Sequence, residues 1–337
     1  MNILQVMASN KLGGAERFFC RLALALQQQA VQQTVMLRND SPYVNELQAN
    51  IPCFQAPFSG TFDFQSKRKL KSLLKEQQPQ IVLSWMNRAS GLVSQLYKTK
   101  NYQHIARLGG YYNLKYYQHC DHFIANTQGI ADYLLQSGIP ATSVHMISNF
   151  VCEQPGTPLK KPTNGPLIVA LGRLHENKAF DTLIQAMTHV PEAMLWIGGT
   201  GPLHAQLSKQ IDHLKLNDRV TLLGWVERPQ DLIASADLFV CPSRHEPLGN
   251  VMLEAWAQHK PVVATRSQGA LELITDNDTG VLSPLDDAPA LAEAINIVLN
   301  DQLLANNLAD NGLKRYQQQF SQHKITQAYL DLFVTML

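Results

Sequence analysis

Two glutamates frame a turn in the stretch RHEPLGNVMLEAW, residues 244–256: Glu246 stands before the turn and Glu254 inside what reads as a mostly buried helix. Pro247, Gly249 and Asn250 suit a helix start. The first backbone N–H groups of such a helix, around Gly249, Asn250 and Val251, have no partner within it and face outward, a ready site for an anion. Carboxylates on either side repel that anion unless hydroxyl donors occupy them. At ~1.5 Å per residue, Glu254 lies about 6 Å along the helix from the anion position. A ligand satisfying all three groups carries hydroxyls, then a diphosphate, then hydroxyls. That is a nucleotide sugar, with Glu246 on the sugar and Glu254 on the ribose. A capping Glu246 and a salt-bridged Glu254 account for the same residues without any ligand.

A second stretch, LGRLHENKAFDTL, places Arg173 directly after an apolar strand and Lys178 at or just before the next helix. A helix N-terminus is positive and prefers acidic neighbours. Two cations there fit a doubly charged anion between them, Arg gripping its oxygens bidentately and Lys acting as a point charge. An exposed pair with surface partners is the plain alternative. In SNKLGGAER, Gly13 and Gly14 open a helix after the first strand. Paired glycines there let the backbone approach a phosphate, or simply make a tight turn. The run is not G-x-G-x-x-G, which argues against a nicotinamide dehydrogenase. Asp276-Asn277-Asp278 has a D-x-D spelling, yet between a helix end and a strand it reads as a turn. No nucleophile is paired with a base. Chemistry at this site therefore rests on amides and cations aimed at developing negative charge.

In open parallel sheets, ligands bind beyond the carboxyl ends of the strands, so the elements must place these turns there. NILQVMA, TVMLR, IPCFQA, QIVLSWM, HIARLG and DHFIANT read as short strands alternating with helical sequence. The alternation stops at CEQPGTPLKKPTNGP, residues 152–166, whose prolines and glycines mark an exposed linker. It restarts with LIVALG, AMLWIGG, RVTLLGW, LFVCPS, PVVAT and GVLSP. Short apolar strands between long helices imply parallel sheets covered on both faces. The expected architecture is α/β: two doubly wound domains, 1–155 and 156–318, facing each other across a cleft.

Composition narrows the function classes. A chain of 337 residues exceeds what one core usually serves. Hydrophobic residues at 45% and charged residues at 16% belong to a globular protein. A net charge of +1 draws it to no nucleic acid. Cys20, Cys53, Cys120, Cys152 and Cys241 are scattered, with no C-x-x-C, which fits a reducing cytoplasm better than a disulfide or zinc framework. The N-terminus lacks a basic region and an apolar run of signal-peptide length. No 18-residue apolar stretch predicts a span. The helix at 64–77 sets Lys67, Arg68, Lys71 and Lys75 opposite Leu70, Leu73 and Leu74. Such a helix can lie on an anionic membrane, or be a solvated face. The aromatic run GGYYNLKYYQHC could stack on an acceptor sugar, or pack in the core.

The segment from Glu246 to Glu254 resembles the E-x7-E motif of the retaining glycosyltransferases of family 4, which have the GT-B fold of two Rossmann-like domains. PSRHEPLGNVMLEAWA, GRLHENKAFDTLIQA, GGTGPLHAQL and GGAER are similar to the family's wording. The resemblance implies metal-independent transfer of a sugar, with retention, from a nucleotide donor (a UDP-sugar) to a glycan or lipid-linked acceptor in envelope polysaccharide or lipopolysaccharide synthesis. Arg173 and Lys178 would stabilise the diphosphate as leaving group, and Gly249, Asn250 and Val251 would donate amides to it. Glu254 would hold ribose and Glu246 face the donor sugar. Gly13 and Gly14 would lie against the donor, and Trp225 and Val226, after Gly224, would meet the base. The closing segment, 319–337, resembles the family's helix that packs back on the N-terminal domain, the acceptor-binding one. No cofactor is expected, and the setting is cytoplasmic, or peripheral on the inner membrane face. Many relatives carry a donor-sugar histidine where the strand HIARLGG here ends in Arg107, Leu108, Gly109 and Gly110. His104 falls inside that strand. Arg107 and the Asn87-Arg88 turn are the acceptor-side candidates. A nucleotide-sugar epimerase of similar shape, or a non-catalytic sugar-nucleotide-binding subunit, remain the competing readings.

Overall fold

The alternation of strand and helix becomes two parallel sheets in the computed structural model, which describes residues 1–11, 13–29, 31–60, 63–161 and 165–337. One unit comprises Met1–Asn149 with Gln322–Leu337, the other Phe150–Ser321. The first holds seven strands: β1 (Asn2–Met7), β2 (Gln32–Arg38), β3 (Cys53–Ala56), β4 (Ile81–Trp85), β5 (Gln103–Leu108), β6 (His122–Ala125) and β7 (Val144–Met146). They lie in the order β3-β2-β1-β4-β5-β6-β7, every pair parallel. The second holds β8 (Leu167–Leu171), β9 (Met194–Gly198), β10 (Val220–Gly224), β11 (Leu238–Cys241), β12 (Val262–Thr265) and β13 (Val281–Ser283), ordered β10-β9-β8-β11-β12-β13 and again parallel.

Both orders reverse direction once, at β1/β4 in the first unit and at β8/β11 in the second. Strand loops diverge to opposite faces at such a point and leave a crevice beyond the carboxyl ends. The apolar strands explain the layering. Ile3, Leu4 and Val6 of β1 and Ile168, Val169 and Ala170 of β8 are fully buried because helices cover both sheet faces. In the first unit the helix Gly14–Gln27 presses Phe18 and Phe19 edge-on against Trp85. The closing helix Gln322–Thr335 belongs to that same unit, packs beside the helix Gly14–Gln27, and buries Tyr329 and Phe333 completely.

Two boundaries differ from expectation, and the closing segment joins the first unit at Gln322 rather than at 319. The break falls between Asn149 and Phe150 rather than at 155–156. Phe150 and Val151 are buried, and the Val151 N–H donates to the Tyr316 hydroxyl at 3.3 Å within the second unit. The proline-rich stretch is largely exposed over its described residues 153–160 but pinned to that unit. Its Gly156, Thr157 and Leu159 amides donate to Gln258 Oε1, Asp231 Oδ1 and Ser235 Oγ at 2.7–2.9 Å. Residues 162–164 of that stretch lie outside the described residues. Strand β7 has no counterpart in the sequence reading. It has three residues, none of them fully buried, so it carries no apolar signal.

Candidate functional site

At the β8/β11 switch point, two loops meet. The loop after β8 is shaped by close backbone approach: a Cβ on Gly199, after β9, would lie 1.9 Å from the Gly172 carbonyl oxygen. Only glycine fits, so Leu174 N–H reaches the Thr200 carbonyl at 3.0 Å and the loop turns sharply. It ends in a single 3-10 turn, Glu176–Lys178. The loop after β11 carries Arg244 to Gly249. Arg244 forks onto both Asp181 oxygens at 2.9 and 2.7 Å and also pairs with Asp286. The His245 N–H donates to the Asn177 carbonyl at 3.2 Å, and the Glu246 carbonyl accepts from Gly269 at 2.7 Å. Both loops are thereby locked to each other.

The lock brings Lys178 and Glu246 together. Lys178 Nζ donates to Glu246 Oε2, with only 21% and 13% of the two side chains exposed. The Ser243 hydroxyl adds a 3.4 Å contact to the same oxygen. Burial pushes the Lys178 ammonium toward losing its proton. The charge and hydrogen bond of Glu246, with the field of Glu254 behind it, more than reverse this and raise its pKa above the ordinary value. The position therefore holds a fixed positive charge.

Just beyond lies the helix Asn250–Ala257, with Glu254 half-buried on it. Gly249 caps it in the left-handed region, φ 91°, and no side chain caps its N–H groups. A Cβ on Gly249 would also meet the Met252 methyl at 2.1 Å. The positive end of the helix dipole thus lies near the held ammonium. Arg173, on the same loop as Lys178, is exposed and makes no ion pair among the described residues. Trp225 and Val226 follow β10 at the same end of the sheet, Trp225 54% exposed and Val226 packed on the core. Asp276-Asn277-Asp278 is a turn: Asp276 takes the Leu282 amide and Arg266, and Asp278 takes Asn311. Among the described residues no group of three His, Cys, Asp or Glu side chains could hold a metal ion.

In the first unit Arg107 departs from expectation, and Gly13 has a neighbour that the sequence did not show. Beside Gly13 lies the chain's own carboxylate: Glu16, 4% exposed, accepts from the Ser9 hydroxyl, and a Cβ on Gly13 would sit 2.5 Å from its Oε2. The anion at that helix start is internal, as the dipole favours. Arg107 is 1% exposed, its guanidinium 4.9 Å from the Phe18 ring and 5.2 Å from Trp85, and it donates to Asn149 Oδ1. So placed, it is a core cation and cannot reach an acceptor. His104 is buried beneath Ser84 at 2.8 Å, and burial drives its pKa down to about 4, so it is neutral and structural. Asn87, the other acceptor-side candidate, is half-buried. It accepts from Tyr117 at 3.0 Å and lines a hollow of about 540 Å³ at the β1/β4 switch point. Lys11 and Arg38, which share that hollow, were not singled out by the sequence; their signal was position, just after β1 and at the end of β2.

Two parallel sheets, each with one switch point, place the chain in the class of two-unit α/β proteins. Residues 12–154 match the model described as Glycosyltransferase Family 4, and residues 157–315 the one described as Glycosyl transferases group 1. The chain belongs to the family 4 glycosyltransferases. It is 34% identical over 333 residues to the lipopolysaccharide core biosynthesis glycosyltransferase LpsE of Rhizobium meliloti, covering 96% of this chain and 97% of that one. It is 32% identical over 329 residues to LpsD of the same organism, covering 95% of each. The fold is that of Anabaena Alr3699/HepE, crystallised with UDP and glucose, at a TM-score of 0.86, 23% identity and 99% and 100% coverage.

Proposed function

We propose that this glycosyltransferase moves a hexose from a UDP-sugar to a hydroxyl of a lipid-linked or core glycan in lipopolysaccharide synthesis, with retention and without a metal. The observation that carries the donor assignment is the Lys178–Glu246 pair at the uncapped start of the helix Asn250–Ala257. A diphosphate seated on the amides of Gly249, Asn250 and Val251 takes Lys178 as its counter-ion, with Arg173 as the second cation. This frees Glu246 for hydroxyls of the donor sugar, while Glu254 takes the ribose and the Trp225-Val226 segment the base. As the anomeric C–O bond breaks, its electron pair goes to the diphosphate oxygen that these charges stabilise. The acceptor hydroxyl attacks the same face of the sugar, and its proton passes to the departing phosphate oxygen.

The relatives' names support the lipopolysaccharide setting, and the UDP and glucose held by the similar Anabaena structure support the donor. No helix among the described residues is long and apolar enough to cross a membrane. We assign peripheral contact with the inner membrane face to the helix Phe64–Gln77, which presents Phe64, 76% exposed, beside Arg68, Lys71 and Lys75. Incubation with a panel of nucleotide sugars, with and without lipopolysaccharide core acceptor, tests the reading. Acceptor-dependent UDP release with an α-linked product from an α-linked donor, undiminished by EDTA, is expected. Turnover of the donor without acceptor points instead to an epimerase, and binding without turnover to a non-catalytic subunit.

A further inference from the structure

We infer that the acceptor carries a negative charge, a phosphate or a carboxylate on its sugar, and that the hollow of the first unit is built to read it. The inference rests on the reading above that this unit binds the acceptor. The hollow, about 540 Å³ in volume, lies at the β1/β4 switch point beyond the carboxyl ends of β1, β2, β3 and β4. That is ample for one or two sugar rings, since small-ligand sites run to about 300–1,000 Å³.

Its lining is divided by chemistry. Trp85 of the lining is fully buried, and the Tyr112 and Tyr116 rings supply its aromatic faces. Such faces stack on the C–H face of a sugar. Three cations also line it, Lys11, Arg38 and Arg88. Among the described residues, Asp63 is the only carboxylate on the wall. It is already taken up by the Ser59 and Ser66 amides at 2.7 and 2.8 Å and by the Ser66 hydroxyl at 2.6 Å.

Each cation has unspent capacity. Arg88 gives one N–H to the Phe58 carbonyl at 3.1 Å, which fixes the guanidinium while leaving most of its five donors. The Lys11 side chain is exposed and has no ion pair among the described residues. Arg38 is paired with Asp40 at 2.8 Å on the rim and is the weakest of the three. A further positive end points the same way. The nine-residue helix Met86–Ser94 begins on the wall with Met86, Asn87 and Arg88, and no side chain caps it. Met86 is held at φ 64°, the left-handed region that an unbranched side chain occupies only at a cost. A neutral acceptor leaves this charge unanswered. An oxyanion on the sugar answers it, with Arg88 bidentate and Lys11 from the opposite loop.

The test is a titration of the full chain, saturated with UDP, by methyl α-glucoside, glucose 6-phosphate and glucuronate, followed by NMR. The two charged probes are expected to bind at least about tenfold more tightly than the neutral one. Whichever charged probe binds better identifies phosphate or carboxylate as the natural group. Lys11→Ala and Arg88→Ala each remove that advantage, with the melting temperature and UDP affinity kept as the check on folding. Equal binding of all three probes, absence of binding by both charged ones, or charged binding that survives both substitutions overturns the inference. UDP binding in the same samples reports separately on the donor reading, so either can fail without the other.

Discussion

Lys178 and Glu246, 68 positions apart in the chain, form an ion pair across the β8/β11 switch point that neither loop could make alone. The pair holds the ammonium charged in a half-buried place. Lys178→Ala should lower kcat by about 10²–10³, the usual loss for one preorganised charge on a leaving oxygen. Arg173→Ala should cost a similar order. UDP release in steady state measures both, and wild-type turnover in either variant refutes its leaving-group role.

Gly249 couples backbone conformation to the helix start proposed to seat the donor diphosphate. A side chain there must occupy φ 91° and displace the Met252 methyl. Gly249→Ala is expected to destabilise the protein by about 1–3 kcal/mol and to weaken UDP binding as the helix start shifts. Urea unfolding with a parallel UDP titration follows both. Unaltered UDP affinity in a destabilised protein would separate the turn from the anion site.

Arg107 offers the opposite case, a charge that serves packing. Arg107→Ala removes a guanidinium 4.9 and 5.2 Å from the Phe18 and Trp85 rings, together with its hydrogen bond to Asn149 Oδ1. A loss of about 2–4 kcal/mol is expected, with KM for acceptor within a few-fold of wild type in the folded enzyme. A selective rise in acceptor KM with unchanged stability would restore Arg107 to the acceptor side.

His104 gives the fold an acid limit. Its pKa falls from the ordinary 6.5 to about 4 through burial, so the unfolded chain takes up the proton before the folded one does. Stability is therefore full above about pH 6.5 and is lost progressively as pH falls toward 4, by about 3 kcal/mol in all. Denaturant midpoints measured across that range should slope in the wild type and flatten in His104→Gln. Equal slopes would place the acid sensitivity elsewhere.

Much was determined by local sequence alone. Periodicity marked twelve of the thirteen strands among the described residues and hence the two parallel sheets, because strands covered on both faces must be apolar throughout. Helix-start chemistry at Gly249 and the spacing of Glu246, Glu254, Arg173 and Lys178 pointed to an anion with flanking hydroxyls, because capping and the helix dipole act over a few residues. Tertiary structure alone decided which charges are buried in the core and which are held at a loop. Arg107 lies within β5 and Lys178 in the loop after β8, and one is sealed by Phe18 and Trp85 from distant elements while the other is held by Glu246. The Glu16 carboxylate folded over Gly13, and the hollow gathered from residues 8 to 116, likewise exist only once strand order is set. A side chain's type is local, but the burial and partners that fix its charge and reach come from segments many tens of residues away.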